Sequence, residues 1–492
     1  MIYVGECFGS LRLRQGRRRA SGIQARILHA TWLGGRDRRS GGTLLSPIPP
    51  IRFLFMARHI TETAIIGAGV VGCSIALELA RRGVQVTVID RNGDVGHGST
   101  SASCGIVRRF YSAAPMTAMA HEASFIWQDW AEYLGAAPGD QLARFERPGM
   151  LVIPPAIDEG IERVVEHMRA IGIVVDILSA EQVSERFPFL DTRSKAPIRR
   201  PEDDDFFDDS AGPIAGAVFE EGAGYVVSPT LATVNLRVAC EAAGVRFLLG
   251  EQVVAIEEGS SEQRFECRLA SAHTISSDVL VNVAGPHSCV INEMAGVELP
   301  IEVKPLRKEI AVVPNPTAAM RPGGGMPVLG DLDSGVYCRP EGGGKDLVVG
   351  SLEPACDELP WVEDPDSNSV DASRESFECY SMRMMKRVPS MELGRFRGLA
   401  SMYDVTTLDW HPVLDRTDRD GYYVAIGTSG SSFKTAPVIG LLMSELIRAC
   451  ESGVDTDAHP LSLRLPRTGI DLDTSFVSRL RSAQESSNTV LG

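Results

Sequence analysis

Thr63-Ala64-Ile65-Ile66-Gly67-Ala68-Gly69-Val70-Val71-Gly72 is the stretch whose reading decides the fold of this chain. Residues 64–66 form a short apolar run that reads as a strand. Residues 71–82 carry helical periodicity closed by Gly83, a residue suited to the left-handed turn that ends a helix. Between them lies Gly67-x-Gly69-x-x-Gly72. The first glycine permits a tight turn, the second lets the backbone approach a pyrophosphate, and the third lets helix and strand pack closely. The free N–H groups and positive end of the helix, at Val70 and Val71, then face the phosphates. Residues 84–89 read as a second strand ending in Asp90, where an acid accepts hydrogen bonds from ribose hydroxyls. A glycine-rich structural turn would leave Asp90 unexplained. Together these features predict a Rossmann-like α/β dinucleotide site, and the acid disfavours NADP, whose extra phosphate it would repel.

The same texture returns along the chain. Residues 231–243 read as a helix stopped by Gly244, followed by a strand at 245–249. Residues 253–257, beginning with Val253 and Val254, and residues 279–283 are further strands, the latter running into Ala284-Gly285-Pro286. A last strand at 421–426 leads through a Gly/Ser loop into a helix from about 437 to 448. Between these blocks, residues 149–210 hold a helix-like run at 161–171 and a polar, proline-rich stretch, and residues 301–394 alternate strand-like runs with turns. At 492 residues the chain exceeds one ordinary core, so two joined domains are expected. The division drawn from sequence is a discontinuous nucleotide domain (57–148, 211–300, 395–450) and an inserted α+β substrate domain on a mostly antiparallel sheet (149–210, 301–394). A C-terminal tail (451–492) follows.

Charge is unevenly spread. Residues 1–58 hold eleven Arg, no Lys and two acids, leaving a strongly acidic remainder under the overall net charge of −15. Such a body repels nucleic acid. Residues 1–56 read either as an Arg-rich targeting peptide or as translated upstream sequence. The second is favoured because Met56-Ala57-Arg58 opens directly onto the first strand, and little packed structure is expected there. No apolar run approaches the roughly 18–20 residues of a membrane-spanning helix. Ten cysteines without paired spacing argue for a reduced, cytoplasmic protein and against a disulfide framework or zinc site. The acids at 202–205, 208 and 209 read as a solvated loop ahead of a cation site, and no metal centre is expected. Residues 342–345 imitate the end of a P-loop, but Asp346 stands where Ser or Thr is required.

Four stretches in this order resemble the D-amino-acid oxidase superfamily of FAD-dependent oxidoreductases, in the branch of sarcosine oxidase, dimethylglycine dehydrogenase and glycine oxidase. They are residues 63–91, 98–108 (Gly-Ser-Thr-Ser-Ala-Ser-Cys-Gly-Ile-Val-Arg), 281–288 (Val-Asn-Val-Ala-Gly-Pro-His-Ser) and 427–434 (Gly-Thr-Ser-Gly-Ser-Ser-Phe-Lys). The resemblance implies FAD as cofactor. It places Arg91, Gly98, Ser99, Thr100, Ser103, Cys104, Gly105, Val253, Val254, Ala284 and Gly285 beside it. The backbone of Gly427, Ser429, Gly430, Ser431, Ser432, Phe433 and Lys434 would run along its pyrimidine edge, where N–H groups stabilise developing negative charge.

By motif position Arg108 and Lys434 hold the substrate carboxylate. Arg109 is an alternative to Arg108, and an ordinary helix-start lysine is the plain reading of Lys434. Tyr403 falls where the family has an active-site tyrosine, with a core tyrosine as the alternative, and Tyr337 and Arg339 face the substrate from the second domain. Ala102 and Ser401 occupy the positions where relatives tether flavin through His and Cys, so FAD is expected to be non-covalent. Ser431-Ser432 replaces the His-Gly pair often found before Phe-Lys. The implied reaction is oxidation of the C–N bond of a small carboxylate-bearing amine, with oxygen or an electron-transfer protein as acceptor. A D-amino-acid or 2-hydroxy-acid enzyme on the same fold, or a flavin-carrying subunit of a multi-subunit oxidase, are the alternatives.

Overall fold

The computed structural model describes residues 58–484 and 486, apart from 138, 209–211, 261, 321–324 and 368. The expectations for residues 1–56 lie outside the described residues, as does Asp209 of the acidic cluster.

The quoted stretch folds as its spacing dictates. Strand β1 (Arg58–Ile66) leads into helix α1 (Val70–Arg81), and Gly83 takes a left-handed conformation before strand β2 (Val86–Asp90). β1 runs parallel to β2 on one side and to the strand Thr274–Asn282 on the other. The strand Arg246–Leu249 extends this parallel core beyond β2, and Tyr422–Ile426 extends it beyond Asn282. An antiparallel meander of Val253–Glu258, Phe265–Leu269 and Thr274–Asn282 completes the sheet with Val413–Arg416.

Helix α1 lies between the helices Pro229–Ala242 and Ala436–Glu451. The contact with the latter is close. A Cβ on Gly440 would stand 2.5 Å from the Ser74 carbonyl oxygen, so only glycine permits this approach. The approach matters for function because the second helix starts directly after Lys434.

The second sheet also has eight strands. Its order is Gly398–Thr406, Val303–Pro314, Asp346–Ser351, Val336–Glu341, Val328–Asp331, Met150–Ile153, Ala217–Glu220, Val175–Leu178. Every pairing is antiparallel except that of Val328–Asp331 with Met150–Ile153. The expected inserted, mostly antiparallel sheet is therefore present.

Two strands correct the boundaries drawn from sequence. Ala217–Glu220 and Gly398–Thr406 fall inside segments given to the nucleotide domain, yet both pair in the second sheet. Their partners lie far away in the chain, beyond the reach of local patterning. The segment after 450 is also more than a tail. It forms a hairpin (Ser462–Arg464 with Asp471–Asp473) and buries Arg479 against Asp415 and Asp457, and Arg481 against Asp409.

Candidate active site

The turn after β1 is built for a phosphate-bearing ligand. Gly67 has φ +120°, and a Cβ there would come within 2.3 Å of the Val283 carbonyl oxygen; on Gly72 it would stand 2.0 Å from the Gly67 carbonyl oxygen. No side chain other than hydrogen fits this crossing of strand, turn and helix. Gly69 caps α1 without a side-chain hydrogen bond, and the Val70 N–H meets Thr100 Oγ1 at 3.3 Å. The residues present thus fit the diphosphate of a dinucleotide.

Asp90, at the end of β2, accepts from the Ala68 N–H at 2.7 Å and from the Asn92 N–H at 2.8 Å. It therefore braces the glycine turn from within. The chain before Val253 crosses the same point, with the Glu251 and Gly250 N–H groups donating to the Asp90 and Asn92 carbonyls. Val253 is buried there and Val254 exposed. Ala284 and Gly285 follow Val283 directly beside Gly67.

Arg91 is turned outward. Its guanidinium forms a two-point pair with Asp366 (2.8 and 2.7 Å), a carboxylate that also contacts His287 Nε2 at 3.0 Å. The pair links Arg91 to a loop of the second domain, a partner 275 residues away that no local pattern announces.

Gly98–Thr100 forms one 3-10 turn, with Ser99 donating to the Met402 carbonyl. The chain then runs through Ser103, Cys104, Gly105 and Ile106 along one wall of a cavity between the two sheets, with Arg108 at its end. The second domain supplies Met150, Lys308, Tyr337, Leu352 and Tyr403, and Gly430, Phe433 and Lys434 complete the lining. All four residues expected to do the chemistry, Arg108, Lys434, Tyr403 and Tyr337, thus line one cavity. Arg339 stands apart from that lining, ion-paired with Glu341 at 2.6 Å and stacked on Tyr225. Tyr337 Oη lies 3.3 Å from Cys104 Sγ, and burial raises the pKa of both groups, that of Tyr337 well above the usual phenol range.

Arg108 and Lys434 converge on Tyr111, which the sequence reading missed. Arg108 donates to the Phe110 carbonyl, and its guanidinium carbon sits 4.0 Å from the centre of the Tyr111 ring. Lys434 Nζ donates to Tyr111 Oη at 2.9 Å and to the Ser431 carbonyl at 2.8 Å. Burial pushes the pKa of both cations down, and for Lys434 the neighbouring Arg108 adds to the effect. The choice between the two adjacent arginines is made elsewhere in the fold. Arg109 is taken by Glu220, which is buried on the second sheet and accepts from both its side chain and its backbone N–H.

The loop carrying Lys434 is fixed from β-structure. Buried Asp404 accepts from Thr428 Oγ1 at 2.6 Å and from the Thr428 N–H at 3.2 Å. The Ser429 N–H donates to the Asp404 carbonyl, and Gly427 and Ser429 both adopt positive φ. Ser431 and Ser432 hydroxyls return to the Thr428 carbonyl, and Trp127 donates to the Lys434 carbonyl while stacking on Phe433.

Lys308 is the other residue the sequence reading missed. A signal was present: Arg307-Lys308-Glu309 are consecutive charges in a strand, and alternation puts the middle one alone on its face. Arg307 and Glu309 pair on the outer face at 2.7 Å, and Lys308 enters the cavity against Glu353. Among the described residues no cluster of His, Cys, Asp or Glu is placed to hold a metal ion, and no helix is long and apolar enough to cross a membrane.

Residues 62–446 match the DAO family, described as FAD dependent oxidoreductase. The chain is 27% identical over 447 residues to bovine (Bos taurus) FAD-dependent oxidoreductase domain-containing protein 1, covering 82% of each chain. It is 23% identical over 419 residues to the glycine oxidase of Geobacillus kaustophilus, covering 84% of this chain and 100% of that one. Among solved structures, L-proline dehydrogenase from P. horikoshii superposes with a TM-score of 0.68 at 20% identity, covering 87% of this chain and 100% of that chain.

Proposed function

This chain belongs to the DAO family of FAD-dependent oxidoreductases, and on that premise we propose that it oxidises the C–N bond of a small carboxylate-bearing amine, an N-methyl or other secondary amino acid. The observation that carries this reading is the meeting of Arg108 and Lys434 on Tyr111 in the lining of one cavity. A guanidinium offers two parallel donors to a carboxylate, and an ammonium adds a third direction. The similarity to a glycine oxidase supports an amino acid as the ligand.

FAD, when bound, supplies the redox step by taking a hydride equivalent from the carbon beside the nitrogen. The protein contributes position and electrostatics. Arg108 and Lys434 hold the carboxylate, which fixes the Cα–N bond in the cavity rather than at its mouth. Tyr337 and Tyr403, held protonated by burial, supply neutral hydrogen-bonding groups from the second domain. The neutral amine donates hydride without a dedicated base, and water hydrolyses the imine product. Gly67, Gly69, Gly72, Asp90 and the 98–105 and 427–434 segments hold the cofactor. Ala102 and Ser401 offer no tether of the family's kinds, so acid precipitation releases all flavin to the supernatant. Free cysteines throughout the described residues support a cytoplasmic location.

The test is anaerobic flavin reduction by sarcosine, proline, D-alanine, lactate and glycerol 3-phosphate on the FAD-loaded chain. Fast reduction by a secondary amino acid is expected. Reduction by lactate or glycerol 3-phosphate alone would overturn the amine reading, and reduction by none would point to a subunit that needs its complex.

A further inference from the structure

Asp366 joins the two domains beside the glycine turn, a contact that the proposed reaction does not use. Arg91 directly follows β2, and His287 ends the single turn Gly285–His287 that comes after the strand Thr274–Asn282. These two strands flank β1 and run parallel to it, so their carboxyl ends open on the same sheet edge as the turn 67–72. That edge is where ligands sit in open α/β folds. One carboxylate meets both neighbours. Asp366 takes Arg91 with both oxygens, at 2.7 and 2.8 Å, and His287 Nε2 lies 3.0 Å from one of them. It thereby ties together the strand ends on either side of β1. The Gly285–His287 turn also lies against Gly98–Thr100, whose Thr100 hydroxyl meets the Val70 N–H at the start of α1.

The second domain delivers this acid on a pinned arm. The Arg307 N–H donates to the Pro360 carbonyl and the Val362 N–H to the Pro305 carbonyl, each at 3.0 Å, so residues 360–362 line the edge of the Val303–Pro314 strand away from Gly398–Thr406. The chain then turns at Asp364, which accepts from the Asp366 N–H at 2.9 Å through its carboxylate and from the Ser367 N–H at 3.1 Å through its carbonyl. The Arg91 guanidinium holds the Asp366 carboxyl down at about 2, so the acid is ionised at any working pH. Isolated exposed ion pairs contribute little, but two-point geometry and a shared third partner raise their worth.

We propose that Asp366, with Arg91 and His287, is a latch of the cofactor site, which positions the second domain across the dinucleotide-binding edge and opens each time FAD enters or leaves. The inference rests on the FAD-dependent family and is independent of which bond the enzyme oxidises. With Ala102 and Ser401 offering no covalent tether, retention of FAD depends on such closure. A latch has a kinetic signature. Entry and exit pass through the same opened state, so weakening the latch speeds both and leaves their ratio, the Kd, unchanged. A direct cofactor contact slows only exit, so its loss raises the release rate and the Kd together.

The experiment uses the FAD-loaded full chain. Release is timed by chasing bound FAD with an excess of isotopically labelled FAD, and the Kd is read from flavin fluorescence on dilution. The variants are Asp366→Asn, Arg91→Met and the double change. Asp346→Asn is the control, because it breaks another exposed two-point pair, with Arg397, that lies within the second sheet.

Asp366→Asn is expected to release FAD about two- to fivefold faster at unchanged Kd. Arg91→Met should do the same, and the double variant should be no faster than either, since both cut one latch. The control should exchange like wild type. A Kd that rises as much as the release rate would overturn the latch in favour of a cofactor contact. Unchanged release would leave an ordinary surface pair, and equal acceleration in the control would reduce the effect to general loosening. Additive effects in the double variant would show that Arg91 and Asp366 act separately, which also overturns the inference.

Discussion

Two buried groups of cations in this protein are built in opposite ways. Beneath the second sheet, Arg387 is wholly enclosed and is met by Asp331 at 2.7 Å and Asp333 at 2.8 Å. Burial alone would lower its pKa, yet the two carboxylates raise it. In the cavity lining, Lys434 is also buried, but both its hydrogen bonds end on neutral oxygens, and its pKa is driven down together with that of Arg108. A buried cation with its own acids completes the fold. At the cavity the hydrogen bonds of Lys434 end on neutral oxygens and Glu220 supports its charge only through space, an arrangement that suits the proposed clamp.

The largest effect should come from the enclosed cluster. Arg387→Met strands two buried carboxylates, and removing one partner of a buried pair typically costs about 3–5 kcal/mol. Urea or thermal unfolding of the FAD-loaded protein measures this. Lys434→Met, which removes a poorly solvated ammonium, should be neutral or stabilising in the same assay without ligand. Equal destabilisation by the two variants would break the contrast.

The clamp should give the next effect, on binding and not on folding. Arg108→Met and Lys434→Met should each cost about 1.5–3 kcal/mol of substrate affinity, a ten- to hundredfold rise in the half-saturating concentration. Two residues gripping one anion act as a unit, so the double variant should depart from additivity. Flavin should stay bound. Comparing an amino acid with its decarboxylated amine isolates the clamp, and equal weakening of both compounds would refute it.

The smallest effect is a pH dependence. A carboxylate arriving beside Lys434 raises a pKa that burial has lowered, so binding takes up a proton. Affinity is therefore fullest below the pKa of Lys434 in the free protein and falls above it, by at most about tenfold per pH unit for one proton. Calorimetry in buffers of different ionisation heat counts that proton. No uptake would mean that Lys434 is already charged, like Arg387, and the contrast would lose its electrostatic half.

Legibility in the sequence followed the range of the contacts. The turn 67–72, helix α1 and strand β2 were readable because each is specified by neighbours within a few residues, and the helices at 229–242 and 436–451 by periodicity and their caps. The strands 217–220 and 398–406 lie in segments that local patterning gives to the nucleotide domain, because strand pairing depends on partners distant in sequence. Arg91 illustrates the same point within the nucleotide motif, since Asp366 claims its guanidinium.

The sequence by itself therefore determined the dinucleotide fold, because a glycine turn, a helix start and an acid at a strand end act through local backbone geometry. Only the tertiary structure decided which arginine serves the cavity, because Glu220 lies 111 residues from Arg109 and neutralises it there. It alone joined Lys434 to Tyr111 across 323 residues and set Lys308 against Glu353 in the wall. The physical reason is that a side chain's charge state and availability depend on what is buried beside it, and burial partners are chosen by the packing of whole sheets.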